Sequence, residues 1–159
     1  MVWAAFCSVG KLELRFTSTK MDGREYQDVL SHSLLPFLRR FRRLQLRYQQ
    51  DNAGVHTSKN RRRNDPGFVP MMEWFQDQGI NLLDWPSCSP DLNPVEYLWG
   101  ILVRRIYANN RQYQTVQELK NALQQAWNNI DNQTIQNLVQ SMPNRIFQVI
   151  ERRGGVIDY

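Results

Sequence analysis

The chain has only two cysteines in 159 residues. Cys7 lies in an apolar run and Cys88 in a turn, which makes neither a disulfide framework nor a zinc-ligand spacing, so both are expected as free thiols. Long apolar runs are also absent. Nothing approaches the roughly 18 residues of a membrane span, and the first residues lack the basic, apolar and small-residue order of a secretory signal. The expectation is therefore a location inside the cell and no membrane partner. No stretch recurs with a period of about 20 to 50 residues, which excludes a repeat solenoid.

Acid is scarce in one region. From Arg39 to Arg63 there are nine Lys or Arg residues and a single acid, Asp51, a local charge of +8, while the rest of the chain carries −3 of the total +5. A basic cluster of this kind suits a polyanion, because Lys and Arg displace the counterions of a phosphate backbone. Its bland alternatives are a solvated face or, at "NRRRN", a nuclear-import signal.

What remains is an ordinary globular composition, 42% hydrophobic, and a length that suits one domain over residues 1–159. "MVWAAFCS" reads as a strand buried on both faces, "VGK" as a hairpin turn and "LELRFTST" as an alternating second strand. From Arg24, Tyr26, Val29, Leu30, Leu34, Leu35 and Leu38 take helical spacing, with a kink at Pro36. "LQLRYQQ" reads as a third strand ending at Asp51, residues 53–70 as a loop with one helical turn near 56–60, residues 71–78 as a helix and "INLLDW" as a fourth strand. The stripe Val95, Leu98, Trp99, Leu102, Val103 and Ile106 predicts the next helix. Two more follow, on Val116 to Ile130 and from Ile135, with Pro143 restarting a last one that stops at Gly154 and Gly155. This order predicts an α/β layer fold with a helical C-terminal extension.

Two carboxylates stand where such folds place chemistry. Asp51 follows a strand, and Glu96 opens a helix behind "SPDLNP". Carboxylates on different elements can share Mg²⁺, which takes few protein oxygens and keeps its other positions for water and phosphate. Both residues also have purely structural readings. Asp51 suits an Asx-turn, and Glu96 a capping box in which Asn93 caps, Pro94 takes the first helical position and Glu96 reaches back to the N–H of Asn93. His56 reads as a loop or packing histidine rather than a ligand.

"YQQDNAGVHTSK" and "DWPSCSPDLNPVEYLWG" together resemble the second and third catalytic motifs of the Tc/mariner superfamily of DDE transposases, and the segment before them resembles the stretch leading to those motifs. The resemblance implies an RNase H-like mixed sheet with flanking helices. It also implies Mg²⁺ or Mn²⁺ as cofactor, with Asp51 as the second catalytic and metal-ligating carboxylate and Glu96 as the third. DNA becomes the expected partner, other transposase copies a further one as a homo-oligomer, and the nucleus the expected location. Arg39, Arg40, Arg42, Arg43 and Lys59 are the candidate DNA contacts.

The chain departs from the superfamily pattern in three respects. The first catalytic Asp and the strand that carries it are expected to be missing, leaving "MVWAAFCS" as an exposed sheet edge prone to association. Between Asp51 and Glu96 lie 44 residues, more than is usual, which places an insertion at about 61–70. Gly54 stands where a Pro is frequent. The expected function is that of a transposase catalytic fragment, for metal-dependent DNA cleavage, strand transfer and integration, inactive alone. The alternative is a non-catalytic DNA-binding or transposase-interaction protein.

Overall fold

The computed structural model describes residues 1–57, 67–86 and 89–157. The chain divides into two compact units, one of Met1–Trp3 and Arg15–Cys88, the other of Ala4–Leu14 and Ser89–Tyr159.

The first unit contains β1 (Val2–Trp3) paired antiparallel with β4 (Arg15–Phe16), in a register that sets Val2 against Phe16 and Trp3 against Arg15. After β4 comes α1 (Gly23–Val29), whose N-terminus is capped by Asp22, the side chain accepting from the N–H groups of Arg24 and Glu25. Glu25 reaches back to the backbone N–H and hydroxyl of Ser18, so the chain enters the helix along a fixed path. The kink expected at Pro36 takes the form of a π-helical turn over Leu30–Leu34, with Leu35 N–H bonded to Leu30 C=O, and α2 (Leu35–Arg40) resumes beyond it. A proline has no N–H to offer the preceding turn, and widening that turn is one way to absorb the loss.

The third and fourth strands are shorter than expected. Leu44 belongs to a 3₁₀ turn, Arg42–Leu44, and the two extended segments meet at one parallel bridge, Tyr48 with Leu82. Tyr48 donates its N–H to Asn81 C=O at 2.8 Å and accepts from Leu83 N–H at 2.9 Å. Then α3 (Met71–Asp77) packs on α1. Trp3, Tyr26, Leu30, Leu34, Tyr48, Phe68, Met71 and Phe75 are the buried centre of this unit. Of the residues expected as an insertion, 61–66 lie outside the described residues, whereas Phe68 is buried and Val69 C=O accepts from the Gln27 side chain.

In the second unit, β2 (Phe6–Cys7) pairs antiparallel with β3 (Gly10–Lys11) around the expected hairpin turn. Gly10 has φ +139°, a value that an L side chain rarely adopts. Comparing the two ladder registers, Ala4 and Ala5 stand opposite Leu12, Glu13 and Leu14, one residue more, which is the count of a β-bulge. The expectation that "MVWAAFCS" is buried on both faces fails: only Trp3 is buried, and Val2, Ala4, Ala5, Phe6 and Cys7 are half-buried. Two-stranded ribbons of two residues each leave a strand without the neighbours that would cover it.

Three helices complete this unit: α4 (Pro94–Ile106), α5 (Val116–Asn128) and α6 (Asn132–Glu151). Of the stripe expected on α4, Leu98, Leu102 and Ile106 are buried and Val103 is exposed. Trp99 stacks on Trp127 of α5 with ring centroids 6.2 Å apart, and the Trp127 indole donates to Leu12 C=O. Pro143 does not restart a helix. It sits inside a continuous α6, whose one face buries Ile135 and Leu138 before the proline and Arg145 after it, so tertiary packing outweighs the lost backbone bond. The helix ends with Arg153 at φ 50° and Gly154 at φ 86°, whose N–H returns to Val149 C=O.

Candidate active site

Asp51 is placed by the chain on both sides of it. Upstream, Tyr48 is locked by its parallel bridge, and the Tyr48 and Tyr26 hydroxyls lie 2.9 Å apart. The Tyr26 hydroxyl donates to Gln50 Oε1 at 2.7 Å, and Gln50 in turn donates to His56 C=O at 3.3 Å. Downstream, Asn52 donates its side-chain amide to Trp85 C=O at 2.9 Å. The loop carrying Asp51 is thus tied through residues 50, 52 and 56.

The carboxylate itself does two things at one oxygen. Asp51 Oδ1 accepts from Ala53 N–H at 3.0 Å, the Asx-turn of the structural reading, and lies 2.5 Å from His56 Nδ1. His56 is 17% exposed and Asp51 52%, so the pair has one face in solvent. His56 is also a packing residue, its ring 4.4 Å from that of Tyr26 at a tilt of 31°. Both backing tyrosines are held neutral. Burial is the main cause in each case, raising Tyr26 well above the usual phenol value and Tyr48 to about 12. Hydrogen bonding with the Tyr26 hydroxyl opposes that rise at Tyr48, and the nearby Trp3 side chain opposes it at both.

Glu96 is reached by a different device. "SPDLNP" forms a 3₁₀ turn, Pro90–Leu92, in which Asp91 Oδ1 accepts from Leu92 N–H and Asn93 N–H is spent on Pro90 C=O. The expected capping box is therefore not formed. Asn93 makes no side-chain cap bond, its N–H is already occupied, and the exposed Glu96 carboxylate has no hydrogen bond or ion pair among the described residues. Backbone geometry alone begins the helix: Pro94 leads, and Glu96 N–H bonds to Asn93 C=O at 3.1 Å. Glu96 stays in the first turn, where the helix dipole favours a negative charge.

The turn before Glu96 is braced by Arg145 of α6, which is 5% exposed. Its Nη1 donates to Asp91 C=O at 2.9 Å and its Nε to Ser141 Oγ at 3.0 Å, and its guanidinium lies 6.0 Å from the Tyr97 ring centroid. Sequence periodicity does not single out Arg145 or the Tyr26–Tyr48–Gln50 chain. The available signals were weak: Tyr26 lies on the apolar stripe of its helix, and Tyr48 and Gln50 share a face by strand alternation.

Arg39, Arg40, Arg42 and Arg43 come together at the end of α2 and the following turn, all exposed and without an acidic partner among the described residues. Lys59 lies outside the described residues. Asp51 belongs to the first unit and Glu96 to the second. Among the described residues no three His, Cys, Asp or Glu side chains gather as a metal group.

Residues 1–120 match the family described as DDE superfamily endonuclease. Over its whole length the chain is 45% identical to the Tc3 transposase of Caenorhabditis elegans, covering 45% of that protein. It is 36% identical to the Tcb2 transposase of Caenorhabditis briggsae and 36% identical to the Tc1 transposase of C. elegans, covering 54% of each. The chain thus spans about half the length of these curated relatives. Among solved structures it resembles the Mos1 transposase catalytic domain bound to raltegravir with Mn, at a TM-score of 0.71 and 18% identity, over 99% of this chain and 82% of that one. The same domain with raltegravir and Mg matches at 0.71 and 17% identity, over 99% and 83%.

Proposed function

The chain belongs to the Tc/mariner superfamily of DDE transposases and has the RNase H-like fold of their catalytic domain, and from that premise we propose that Asp51 and Glu96 are two of the carboxylates that hold divalent ions for DNA cleavage and strand transfer. The observation that carries the proposal is the state of Glu96, a carboxylate in the third motif that its own helix does not use as a cap. Asp51 is the complementary case: Oδ1 is anchored to Ala53 and His56, which orients the carboxylate for a second interaction.

The donor set fits Mg²⁺ or Mn²⁺, since both residues are exposed and offer hard oxygen ligands. Such ions, when bound, supply the positive charge that activates an attacking oxygen and stabilises the leaving one at a phosphodiester. This chain's part is to present the two carboxylates, to fix Asp51 through the Tyr26, Gln50 and His56 contacts, and to fix the turn before Glu96 through Arg145. Arg39, Arg40, Arg42 and Arg43, with Lys59, hold the DNA backbone by charge, a role that gives affinity without sequence choice. Work on DNA integration puts the protein in the nucleus, with other transposase copies as partners.

Residues 1–159 do not turn over alone, because two carboxylates do not complete a productive pair of ions. A non-catalytic, DNA-binding role is the second reading, favoured by the exposed arginines at the end of α2, which have no acidic partner among the described residues. The test is a supercoiled-plasmid nicking assay with Mg²⁺ or Mn²⁺, run beside Mn²⁺ titration by electron paramagnetic resonance. We expect no nicking, and weak Mn²⁺ binding that falls in both Asp51→Ala and Glu96→Ala. Robust nicking lost in Asp51→Ala overturns the inactivity, and Mn²⁺ binding unchanged in both variants overturns the ligand assignment.

A further inference from the structure

The chain between α2 and Tyr48 is built in a way that its role as a connection does not require. Its base is rigid: Phe41 N–H bonds to Phe37 C=O, the two rings lie 4.8 Å apart, and the Arg40 guanidinium sits 5.4 Å from the Phe41 ring. Above that base Leu44 N–H closes on Phe41 C=O at 2.9 Å. Gln45 then takes the left-handed conformation, φ 48° and ψ 46°, which glycine or asparagine would adopt more readily. Leu44 is left 50% exposed at the tip. Arg39, Arg40, Arg42, Arg43 and Arg47 all lie within five residues of it along the chain, every one exposed, and residues 29–50 contain no acid.

A lone exposed leucine needs no explanation. One held on a hydrogen-bonded, left-handed turn in a segment with five exposed arginines and no acid is different. The arginines select a polyphosphate, and an apolar side chain on a rigid tip between phosphate-binding groups has the form of a wedge, the device by which proteins part stacked bases. We propose that residues 39–47 are a DNA-binding turn in which the arginines grip the two backbones and Leu44 enters at an opened base step, so that this surface prefers locally unstacked duplex over intact duplex. The proposal rests on the reading of the arginines as DNA contacts, and adds the feature of DNA that is recognised.

The experiment is fluorescence anisotropy with the full 159-residue chain and two 20-base-pair probes of equal length and charge, one fully paired and one with a central two-base mismatch. A second pair carries 2-aminopurine at the centre to report unstacking. We expect about tenfold tighter binding to the mismatched probe, and a rise of 2-aminopurine emission on binding. Leu44→Ala should keep paired-duplex affinity within about twofold while losing both the preference and the emission change. Leu44→Gln, which keeps the length of the side chain, should behave likewise, and circular dichroism of both verifies the fold. The double variant Arg42→Gln/Arg43→Gln should weaken both probes alike and reduce the salt slope by about two. Equal affinity of the native chain for both probes, or full preference in Leu44→Ala, overturns the wedge and leaves the DNA contacts standing. No binding of either probe at low salt overturns the DNA reading and the wedge together.

Discussion

His56 Nδ1 lies 2.5 Å from Asp51 Oδ1, and the same imidazole packs 4.4 Å from the Tyr26 ring. One side chain therefore ties an exposed carboxylate to the buried centre of its unit. His56→Ala should cost about 1 kcal/mol through the lost ring contact and should speed amide exchange at Ala53 and Thr57, whose environment the turn defines. His56→Phe should recover most of the stability and none of the orientation of Asp51. Urea titration and hydrogen exchange read the two effects separately.

The tyrosine pair predicts an alkaline limit. Tyr48 is pushed up to about 12 by burial, and Tyr26 is raised as well. An unfolded tyrosine ionises near pH 10. Between that value and about 12 the unfolded state has released protons that the folded state still holds, so stability present in full below pH 10 is lost as pH rises. Urea midpoints from pH 8 to 11.5 should fall above pH 10, and the fall should be shallower in Tyr48→Phe. A flat profile would contradict the burial of these hydroxyls.

Arg145 is a buried cation whose guanidinium fork spans two elements, Asp91 C=O and Ser141 Oγ. Arg145→Ala should destabilise by about 2 to 3 kcal/mol, as expected when a buried charged hydrogen-bonding group is removed and its partners are left unsatisfied. Arg145→Lys should recover little, because an ammonium lacks the planar fork that reaches both acceptors. Denaturant unfolding gives the magnitudes, and faster exchange at Leu92 and Asn93 would place the effect in the turn before Glu96.

Thr115 caps α5 by accepting from Glu118 N–H at 3.1 Å, while Glu118 returns to Gln114 N–H at 3.0 Å. Thr115→Ala should cost about 1 kcal/mol and Thr115→Asp close to nothing, measured by thermal unfolding. Loss in both variants would show that the hydroxyl is not acting as a cap.

Helices were legible because their signals are local. The stripes from Tyr26 to Leu35 and from Leu98 to Ile106, and the Gly154 stop, follow from spacing and backbone preference within a few residues. The motif "SPDLNPVE", with Asp51 in "QQDNAG", was enough to point to the superfamily. Strand length was not legible in the same way. "LQLRYQQ" and "INLLDW" alternate as strands do, yet they share one bridge, because pairing depends on a partner distant in sequence and on the left-handed turn at Gln45 that sets where the chain straightens. Pro143 likewise reads as a break until the face burying Ile135, Leu138 and Arg145 is seen to carry the helix through it. The sequence by itself determined the superfamily and which helices form, since those depend on residue type and short-range order. Tertiary structure alone decided that Asn93 spends its N–H on Pro90 rather than on Glu96, that His56 turns to Asp51, and that Arg145 reaches Asp91 from 54 residues away. The physical reason is that a polar group's partner is chosen among all the donors and acceptors the fold brings within about 3 Å, and sequence spacing does not show that set.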